Sequence, residues 1–340
     1  MKIVSLFSGA GGLDRGFEQA GFTTMWANEY DKDIWETIEN NFPETELDKR
    51  SITEIPTDEI PECDGIIGGP PCQSWSEAGA LRGINDHRGQ LFFDFIRILD
   101  DKQPLFFLAE NVSGMLAQRH SKALKNIQEM LSSCGYNLSF SLLNCANYNV
   151  PQDRKRVFFV GFRKDLNKTF DFPTASEEAV CLKDAIWNLR KSAIPAKEKN
   201  HSNHDKCKIA NHEYMIGSFS TIFMSRNRVR SWDEPSYTIQ AGGRHAPIHP
   251  QAPKMISVGK DKRIFVKGKE DLYRRLSVRE CARIQTFPDD HIFYYKNLIA
   301  GYKMVGNAVP SNMAFTIATA IKEQIESKHS KQLSQQLLAF

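Results

Sequence analysis

The chain has 340 residues, of which 41% are hydrophobic and 25% charged, and its formal net charge is only +3. These values describe a folded protein long enough for two domains and exclude a uniformly basic chain, so any nucleic-acid surface has to be local. The seven cysteines form no CxxC pair, which indicates a reducing, cytoplasmic setting. No apolar stretch near Met1 is long enough for a signal peptide or a membrane span, so we expect no membrane contact.

The first predicted element is a buried strand that leads through a glycine turn into a helix. Residues 3–7 form the apolar run, residues 8–12 contain three glycines, and residues 13–20 show helical spacing. Glycines allow a ligand to approach the backbone, and a helix N-terminus offers free N–H donors. The spacing is not G-x-G-x-x-G, which argues against NAD and leaves another adenosine cofactor open.

A second strand, over residues 24–28, ends in Glu29 and Tyr30. An acid at this point can accept hydrogen bonds from both ribose hydroxyls, and a neighbouring aromatic ring can stack on adenine. The alternative is that Glu29 only begins the next helix, where acidic residues are favoured. Its distance from the glycine turn favours the cofactor role.

A third strand ends in the loop formed by residues 68–76, which presents Cys72. Two glycines let the backbone turn sharply, and Pro70 and Pro71 stiffen the segment just before the cysteine. A lone cysteine is usually a small buried residue. A core cysteine needs no such rigid frame, however, so the pattern favours Cys72 as a nucleophile.

The fourth strand, over residues 105–109, delivers Glu110 to the same edge of the sheet. The preceding helical stretch, residues 91–99, carries aromatic residues on one face that belong to the core rather than to a cofactor site. In an apolar surrounding the pKa of Glu110 would rise, which suits a proton donor.

Arg154 and Arg156 stand at the start of a strand that continues through residues 157–161. Charge clusters are usually solvated, but alternating residues of a strand project to the same side and could both line a site. Arg156 suits a donor to a substrate carbonyl, and Arg154 suits a structural or phosphate contact.

The region from residue 188 to residue 213 is polar and is predicted to be a loop or linker. It contains three histidines and Cys207, but their spacing matches no common zinc module, so we predict no metal site. Further on, residues 273–289 predict a helix with Ser277 as N-cap and Pro288 beyond its end.

Residues 222–250 carry arginines among polar and aromatic residues, interrupted by a Gly-Gly pair. Such a segment is typical of a surface that contacts guanine edges and phosphates. An ordinary exposed pair of strands is the alternative. The candidate DNA-binding residues are Arg226, Arg228, Arg230 and Arg244.

Six motifs follow one another along the chain: residues 7–12, residues 70–73, residues 110–112, Gln152-x-Arg154-x-Arg156, residues 279–288 and residues 306–310. Their order resembles that of the DNA (cytosine-5) methyltransferases over nearly the whole chain. The resemblance implies an α/β fold with a Rossmann-like, doubly wound methyltransferase sheet and a smaller, mostly irregular or β target-recognition domain. Residues 1–172 and 300–340 would form the catalytic domain, and residues 173–299 the target-recognition domain.

The resemblance also implies S-adenosyl-L-methionine as cofactor and roles for individual residues. Cys72 would attack C6 of a flipped-out cytosine, Glu110 would protonate or hydrogen-bond N3, and Arg156 would hold the carbonyl oxygen, with Arg154 beside it among the catalytic residues. Ser51 stands where the family commonly has aspartate. The implied cofactor-binding residues are Phe7, Ser8, Gly9, Gly11, Gly12, Glu29, Tyr30, Ser51, Ile52, Pro70 and Asn307.

The expected biological role is that of a monomeric type II restriction–modification methyltransferase that acts on double-stranded DNA, with a cognate restriction endonuclease as functional partner. The similarity is greatest to GGCC-modifying members, so GGCC is the leading candidate target. Two alternatives remain: a tRNA cytosine-5 methyltransferase and a catalytically silent DNA-binding regulator. The arginine-rich segment favours duplex DNA over tRNA, and the joint presence of Cys72, Glu110 and Arg156 argues against a silent regulator.

Overall fold

Short apolar runs form a central sheet of seven strands in this computed structural model, which describes residues 1–71, 87–176 and 178–327. The sheet order is β3-β2-β1-β4-β5-β8-β6. The first five strands in this order are mutually parallel, whereas β8 runs antiparallel to β5 and β6. The sheet strands are β1 (Lys2–Leu6), β2 (Thr23–Asn28), β3 (Glu46–Asp48), β4 (Gly65–Gly68), β5 (Phe106–Val112), β6 (Tyr136–Asn144) and β8 (Lys155–Arg163), with the short β7 (Gln152–Asp153) between the last two in sequence.

Helices cover both faces of this sheet, as the prediction of a doubly wound α/β fold requires. Successive residues of each strand enter opposite cores, so that Ile66 packs on one face and Ile67 on the other. Burying a large apolar side chain contributes about 1.5–3 kcal/mol, and both cores are built from such residues. The helices are α1 (Gly12–Gln19), α2 (Trp35–Asn41), α3 (His87–Lys102), α4 (Ser121–Ser133), α5 (Leu182–Ile186), α6 (Val278–Ile284), α7 (Leu298–Asn307) and α8 (Ser311–Glu326).

The last helix returns to the first one and packs closely against it. A Cβ atom added at Gly16 in α1 would lie 2.4 Å from the Cβ of Ala314 in α8, and one at Gly12 would lie 2.3 Å from the carbonyl oxygen of Val309. Only glycine allows backbones to approach to this distance. The contact brings the segment between α7 and α8 next to the glycine turn that follows β1.

The region after residue 173 is mostly irregular, and its apolar residues belong to two cores, one shared with the sheet domain and one confined to this region. One core joins α5, α6 and α7 to residues of the large sheet domain, including Ile34 and Phe42. The other core lies around Phe223 and Tyr273. The short strands of this region are β9 (Ile194–Pro195), β10 (Glu213–Tyr214), β11 (Ser236–Tyr237), β12 (Ile256–Gly259) and β13 (Lys262–Ile264).

The helix predicted over residues 273–289 is shorter than expected, although its start is where the sequence places it. The Ser277 hydroxyl accepts from the amide of Glu280 at 3.0 Å, and the Glu280 carboxylate accepts from the amide of Ser277 at 2.8 Å. This capping box satisfies two free donors at the N-terminus of α6. The preceding residues contribute to irregular backbone instead of a further helical turn.

The polar segment predicted to be a linker ends in a buried, hydrogen-bonded stretch. Asn211, His212 and Glu213 are buried, and the Asn211 amide donates to the carbonyl of Phe293 at 2.7 Å. Asn211 and His212 lie in irregular backbone, as a loop or linker would, but their side chains are buried, because polar groups can be buried when distant backbone groups satisfy them. Within the described part of the chain, every helix is too short or too polar to cross a membrane.

Asp14 in the first turn of α1 is buried, and neither carboxylate oxygen has a hydrogen-bond partner among the described residues. Burial raises the pKa of this carboxyl to about 7, and the nearby Ser5 hydroxyl offsets the effect only in part. A carboxyl group with a raised pKa in the folded state stabilises the fold below its unfolded pKa, and this contribution is lost as pH rises through the folded pKa.

We therefore expect the free energy of unfolding to fall by a few kcal/mol between about pH 4 and pH 7 because of Asp14. Asp14→Asn should remove this pH dependence, and Asp33→Asn, at an exposed acid, should leave it unchanged. Denaturant unfolding at pH 5 and at pH 8 measures the difference. The same pH dependence in Asp14→Asn and in the parent would contradict the assignment.

Candidate active site

A cavity of about 820 Å³ lies at the carboxyl ends of β1, β2, β4 and β5. Its walls come from the glycine turn after β1, the ends of β2 and β5, the loop after β4 and the segment that joins α7 to α8. In an open parallel sheet ligands bind at this edge, where the strand order reverses. The volume is in the range of small-molecule and cofactor sites.

The glycine turn forms the floor of the cavity through an unusual backbone path. Phe7 has φ of 54° and Gly9 has φ of 56°, both in the left-handed region. This conformation is costly for phenylalanine, and such residues concentrate at functional sites. A Cβ atom on Gly9 would have no neighbour within 4 Å, so the turn is open towards the cavity. Gly11 does not line the cavity; its φ of 77° and its contact with Phe42 give it a structural role.

Glu29 is held in a fixed position at the end of β2. Its two carboxylate oxygens accept from the amides of Gly9 at 2.9 Å and Asp31 at 2.7 Å, and the indole of Trp35 donates to its carbonyl at 2.7 Å. Burial raises the pKa of Glu29, and the two amides act in the opposite direction. The carboxylate lines the cavity, and the ring of Tyr30 beside it is 72% exposed.

The other predicted cofactor residues also border this cavity, apart from Gly11. The Ser51 hydroxyl shares a 2.8 Å hydrogen bond with that of Thr53, while Ile52 is buried. Lys303 of α7 also lines the cavity and forms an ion pair with Asp31. The predicted residues in the lining are Phe7, Ser8, Gly9, Gly12, Glu29, Tyr30, Ser51, Ile52, Pro70 and Asn307.

Glu110 and Arg156 meet at the edge of the same cavity. Glu110 is the fifth residue of β5, and β8 runs antiparallel beside it, so that Val112 is paired with Arg156. The Nε atom of Arg156 lies 2.8 Å from Oε1 of Glu110. Burial raises the pKa of Glu110, and the positive charges of Arg156 and Arg154 lower it in part. The pair is therefore a carboxyl group with raised proton affinity beside a fixed guanidinium.

The loop that precedes Cys72 is attached directly to β5. The side-chain amide of Asn111 donates to the carbonyl of Pro70 at 3.0 Å, in a buried position. A Cβ atom on Gly69 would lie 3.5 Å from Oε2 of Glu110, so the loop passes close to the carboxylate. Cys72 itself lies outside the described residues and directly follows Pro71, which lines the cavity.

Arg154 makes structural contacts, one of the possible roles that the sequence suggests for it. The strand is interrupted at this residue, between β7 and β8, so the alternation that would place Arg154 beside Arg156 does not hold. Its buried guanidinium donates to the carbonyl oxygens of Ile239 at 3.0 Å, Gly306 at 3.0 Å and Ala308 at 2.9 Å. Arg154 ties the segment containing Ile239 to the end of α7 through these bonds, and a catalytic role for it stays a prediction.

Sequence reasoning missed three residues that build this site. Asn111 fixes the loop before Cys72, and its position directly after Glu110 was the available signal. Lys303 and Asp31 form an ion pair across the cavity wall. Nothing in the sequence pattern connects these two residues, which are far apart along the chain.

The four candidate DNA-binding arginines differ in the contacts that their guanidinium groups make with the rest of the chain. The guanidinium of Arg228 donates to the carbonyls of Phe223 and Ile222 at 2.9 and 3.2 Å. Arg230 lies 3.1 Å from Glu234 and over the ring of Tyr237. Arg226 and Arg244 are exposed, and neither side chain has a hydrogen bond or ion pair with a described residue.

The histidines considered for metal binding do not converge with other ligands. His212 is buried, with one ring nitrogen 2.8 Å from the Ser277 hydroxyl and the other 3.0 Å from the carbonyl of Leu189. Among residues 1–71, 87–176 and 178–327, no group of three His, Cys, Asp or Glu side chains could hold a metal ion.

The sheet order and the cavity at its carboxyl edge define a Rossmann-like methyltransferase fold. A C-5 cytosine-specific DNA methylase family model matches residues 1–323, so the chain belongs to this family, and it is a DNA (cytosine-5) methyltransferase. It is 58% identical to the type II methyltransferase M.FnuDI of Fusobacterium nucleatum over 99% of both chains. It is 57% identical to the type II methyltransferase M.NgoPII of Neisseria gonorrhoeae over 96% of both.

Solved structures show the same fold at lower identity. A Dnmt2 structure from Spodoptera frugiperda has a TM-score of 0.69 and 19% identity, and the match covers 96% of this chain and 99% of that one. The Dnmt2 methyltransferase of S. pombe has a TM-score of 0.66 and 18% identity, with 95% of this chain and 98% of that one covered. At these identities the likeness supports the fold alone.

Proposed function

We propose that this chain transfers a methyl group from S-adenosyl-L-methionine to C5 of a flipped-out cytosine in a short, specific site of duplex DNA. The observation that carries the proposal is the Glu110–Arg156 pair beside the loop that leads to Cys72, at the edge of the cavity. The relatives' names, type II methyltransferases, support a role in a restriction–modification system with a cognate endonuclease as functional partner.

The cavity has the features that this cofactor requires. The Glu29 carboxylate is fixed at the end of β2 and can accept from ribose hydroxyls. The exposed Tyr30 ring can stack on adenine, and Asn307 at the end of α7 offers a side-chain amide in the cavity lining. When bound, the cofactor supplies an electrophilic methyl group on its sulfonium.

The chain's own residues would prepare cytosine for this transfer. The thiolate of Cys72 adds to C6, and the electron pair of the C5–C6 double bond becomes available at C5. Glu110 donates a proton or hydrogen bond to N3, and Arg156 donates to the carbonyl oxygen, which limits the negative charge on the ring. After the methyl group has been transferred, loss of the C5 proton and departure of Cys72 restore the aromatic ring.

A cytosine analogue with fluorine at C5 tests the nucleophile and the substrate together. Fluorine cannot leave as a proton does, so the adduct with Cys72 should persist after methyl transfer. We expect a covalent complex with fluorinated duplex DNA that survives denaturing electrophoresis. An adduct with fluorinated tRNA and none with DNA would favour the tRNA alternative, and no adduct with either would contradict the proposed chemistry.

We expect Glu29→Ala to weaken S-adenosyl-L-methionine binding by about ten- to a hundredfold, because charge-assisted hydrogen bonds are lost. The single-turnover rate at saturating cofactor should change less. Calorimetric titration measures the affinity, with Glu36→Ala as control at an exposed acid of α2 that does not line the cavity. Equal affinities of Glu29→Ala and the parent would rule out the ribose contact.

We further propose that residues 173–299 form the target-recognition part of the molecule and that GGCC is the leading candidate target. Arginine pairs bidentately with O6 and N7 of guanine, and Arg226 and Arg244 are the two candidates whose guanidinium groups are exposed without a described partner. Arg228 and Arg230 have partners within the segment, which suits a role in shaping the recognition surface.

Arg226→Ala and Arg244→Ala should each lose about 1–3 kcal/mol of discrimination at one base pair. Arg228→Ala should instead weaken binding to matched and mismatched duplexes alike, since its guanidinium is held by backbone carbonyls. Binding to the target and to single-mismatch duplexes at two salt concentrations separates these outcomes. Unchanged mismatch penalties in both exposed-arginine variants would place base recognition elsewhere.

A further inference from the structure

Residues 254–269, here called the basic hairpin, enclose β12 and β13 and carry a local excess of positive charge. They contain six lysines or arginines and one acidic residue, whereas the net charge of the whole chain is +3. The rest of the chain is therefore slightly acidic. A cluster of positive charges on an otherwise weakly charged protein produces a local positive potential, which attracts polyanions to that part of the surface.

Most of this charge has no partner within the described structure. The side chains of Lys260, Lys262, Lys267 and Lys269 are exposed, and none forms a hydrogen bond or ion pair with a described residue. Lys254 differs from them because it lies 3.6 Å from Glu234. Four free ammonium groups on one short hairpin are available to an external anion.

The base of the basic hairpin is attached to the segment that carries the candidate reading arginines. The amide of Met255 donates to the side-chain oxygen of Asn227 at 3.0 Å, and Asn227 stands between Arg226 and Arg228. The ring of Phe265 packs edge-on against Phe219 with 5.2 Å between ring centres. The hairpin therefore begins beside the reading arginines, and its residues 256–262 are all exposed.

We propose that the basic hairpin binds the phosphate backbone of duplex DNA outside the methylated site. This inference rests on the proposed DNA substrate and adds a second contact region to it. The strand β12 has four residues, which span roughly 13 Å, or about four base-pair rises along the duplex. Contacts made there position the duplex and contribute affinity without reading its sequence.

The test compares two double variants with the full-length parent chain. Lys260→Gln with Lys262→Gln removes two charges from the hairpin. As a control, Lys102→Gln with Lys164→Gln also removes two charges. Lys102 is the last residue of α3 and Lys164 follows β8, so both lie at the edge of the sheet opposite the cavity. Each protein is titrated with duplexes of about 30 and about 10 base pairs that carry the chain's own methylated site, as mapped by bisulfite sequencing, at the centre.

With the long duplex, the hairpin variant should bind at least about fivefold more weakly, and its salt dependence should be shallower by about 0.9 for each phosphate that the hairpin no longer neutralises. The control variant should match the parent. With the short duplex, which keeps only about three base pairs on each side of a four-base-pair site, the hairpin variant should lose much less affinity than with the long one, and mismatch penalties should be unchanged on both.

Unchanged affinity and salt dependence on the long duplex would overturn the proposal, and so would an equal loss on the short duplex, which would place the lysines over the target site itself. The thermal unfolding midpoint of the hairpin variant, compared with that of the parent, reports whether the fold is intact. Methylation of the long duplex by the parent chain reports the proposed function separately, so its failure and that of the hairpin contact are distinguishable.

Discussion

Replacement of Cys72 with alanine is expected to reduce methyl transfer by roughly a thousandfold or more while leaving DNA binding largely intact. The thiolate is needed to form the bond at C6, and without it C5 of cytosine is too weak a nucleophile to attack the methyl group. In the proposed complex, binding depends instead on residues 173–299 and on phosphate contacts, which the substitution leaves in place. Single-turnover methylation with labelled cofactor measures the first effect, and a filter-binding or anisotropy titration measures the second.

Cys63→Ala is the matched control for this experiment. Cys63 stands just before β4, the strand that leads to the Cys72 loop, and burial raises the pKa of its thiol to about 12. A thiol with so high a pKa holds almost no thiolate near neutral pH, so its loss should leave the rate unchanged. Residual activity of Cys72→Ala within about tenfold of the parent would contradict the nucleophile assignment.

Glu110→Gln is expected to slow the chemical step by about a hundred- to ten-thousandfold, the range for loss of a general acid or base. Its carboxyl group lies beside Arg156 and the loop before Cys72, whereas the proposed ribose contact is at Glu29. Affinity for S-adenosyl-L-methionine should therefore remain close to that of the parent. Glu54→Gln provides the control, because Glu54 is an exposed acid in the wall of the same cavity.

Glu110→Gln should also change how the rate of methyl transfer depends on pH. Burial raises the pKa of Glu110, so the protonated, donating form persists to higher pH than for an ordinary glutamate. The parent's single-turnover rate should fall as pH rises through that pKa, and this decline should be absent in Glu110→Gln. Loss of cofactor binding with a normal chemical rate would show that Glu110 belongs to the cofactor site instead.

The central sheet could be predicted, and so could the strand ends at Glu29 and Glu110. Strands that are buried on both faces consist of continuous apolar runs, which are visible in the sequence. A polar residue directly after such a run stands out in the sequence. The strand β4 is an example of such an apolar run, since Ile66 and Ile67 are fully buried and belong to the cores on opposite faces of the sheet.

The position of Arg154 could not be predicted from the same pattern. Its alternation with Arg156 is visible in the sequence, but the break in the strand at Arg154 is a property of the folded backbone. The partners of its guanidinium are carbonyl oxygens of Ile239, Gly306 and Ala308. Backbone acceptors leave no trace in residue types, so the sequence can suggest a structural role for Arg154 but cannot indicate these partners.

The roles of the arginines within residues 222–250 are equally hard to predict from the sequence. Arg228 and Arg226 look equivalent in sequence, yet one guanidinium is held by nearby carbonyls and the other is exposed. Likewise, the buried Asn211 donates to the carbonyl of Phe293, 82 positions away. Local polarity therefore predicted a linker where tertiary contacts produce a buried hydrogen-bond network.

The attachment made by Arg154 has an evolutionary consequence. It holds Ile239 and the end of α7 through main-chain oxygens, and Gly306 comes so near that an added Cβ atom would lie 2.3 Å from the main chain of Gln240. These contacts use main-chain atoms, so they constrain the backbone at positions 239 and 240; the side chain of Ile239 is buried in the core, whereas that of Gln240 is exposed and can vary. On the proposed division of the chain, exposed side chains of residues 173–299 can change while this main-chain attachment to α7 is kept, so target specificity can drift in one part of the gene while the chemistry is inherited unchanged.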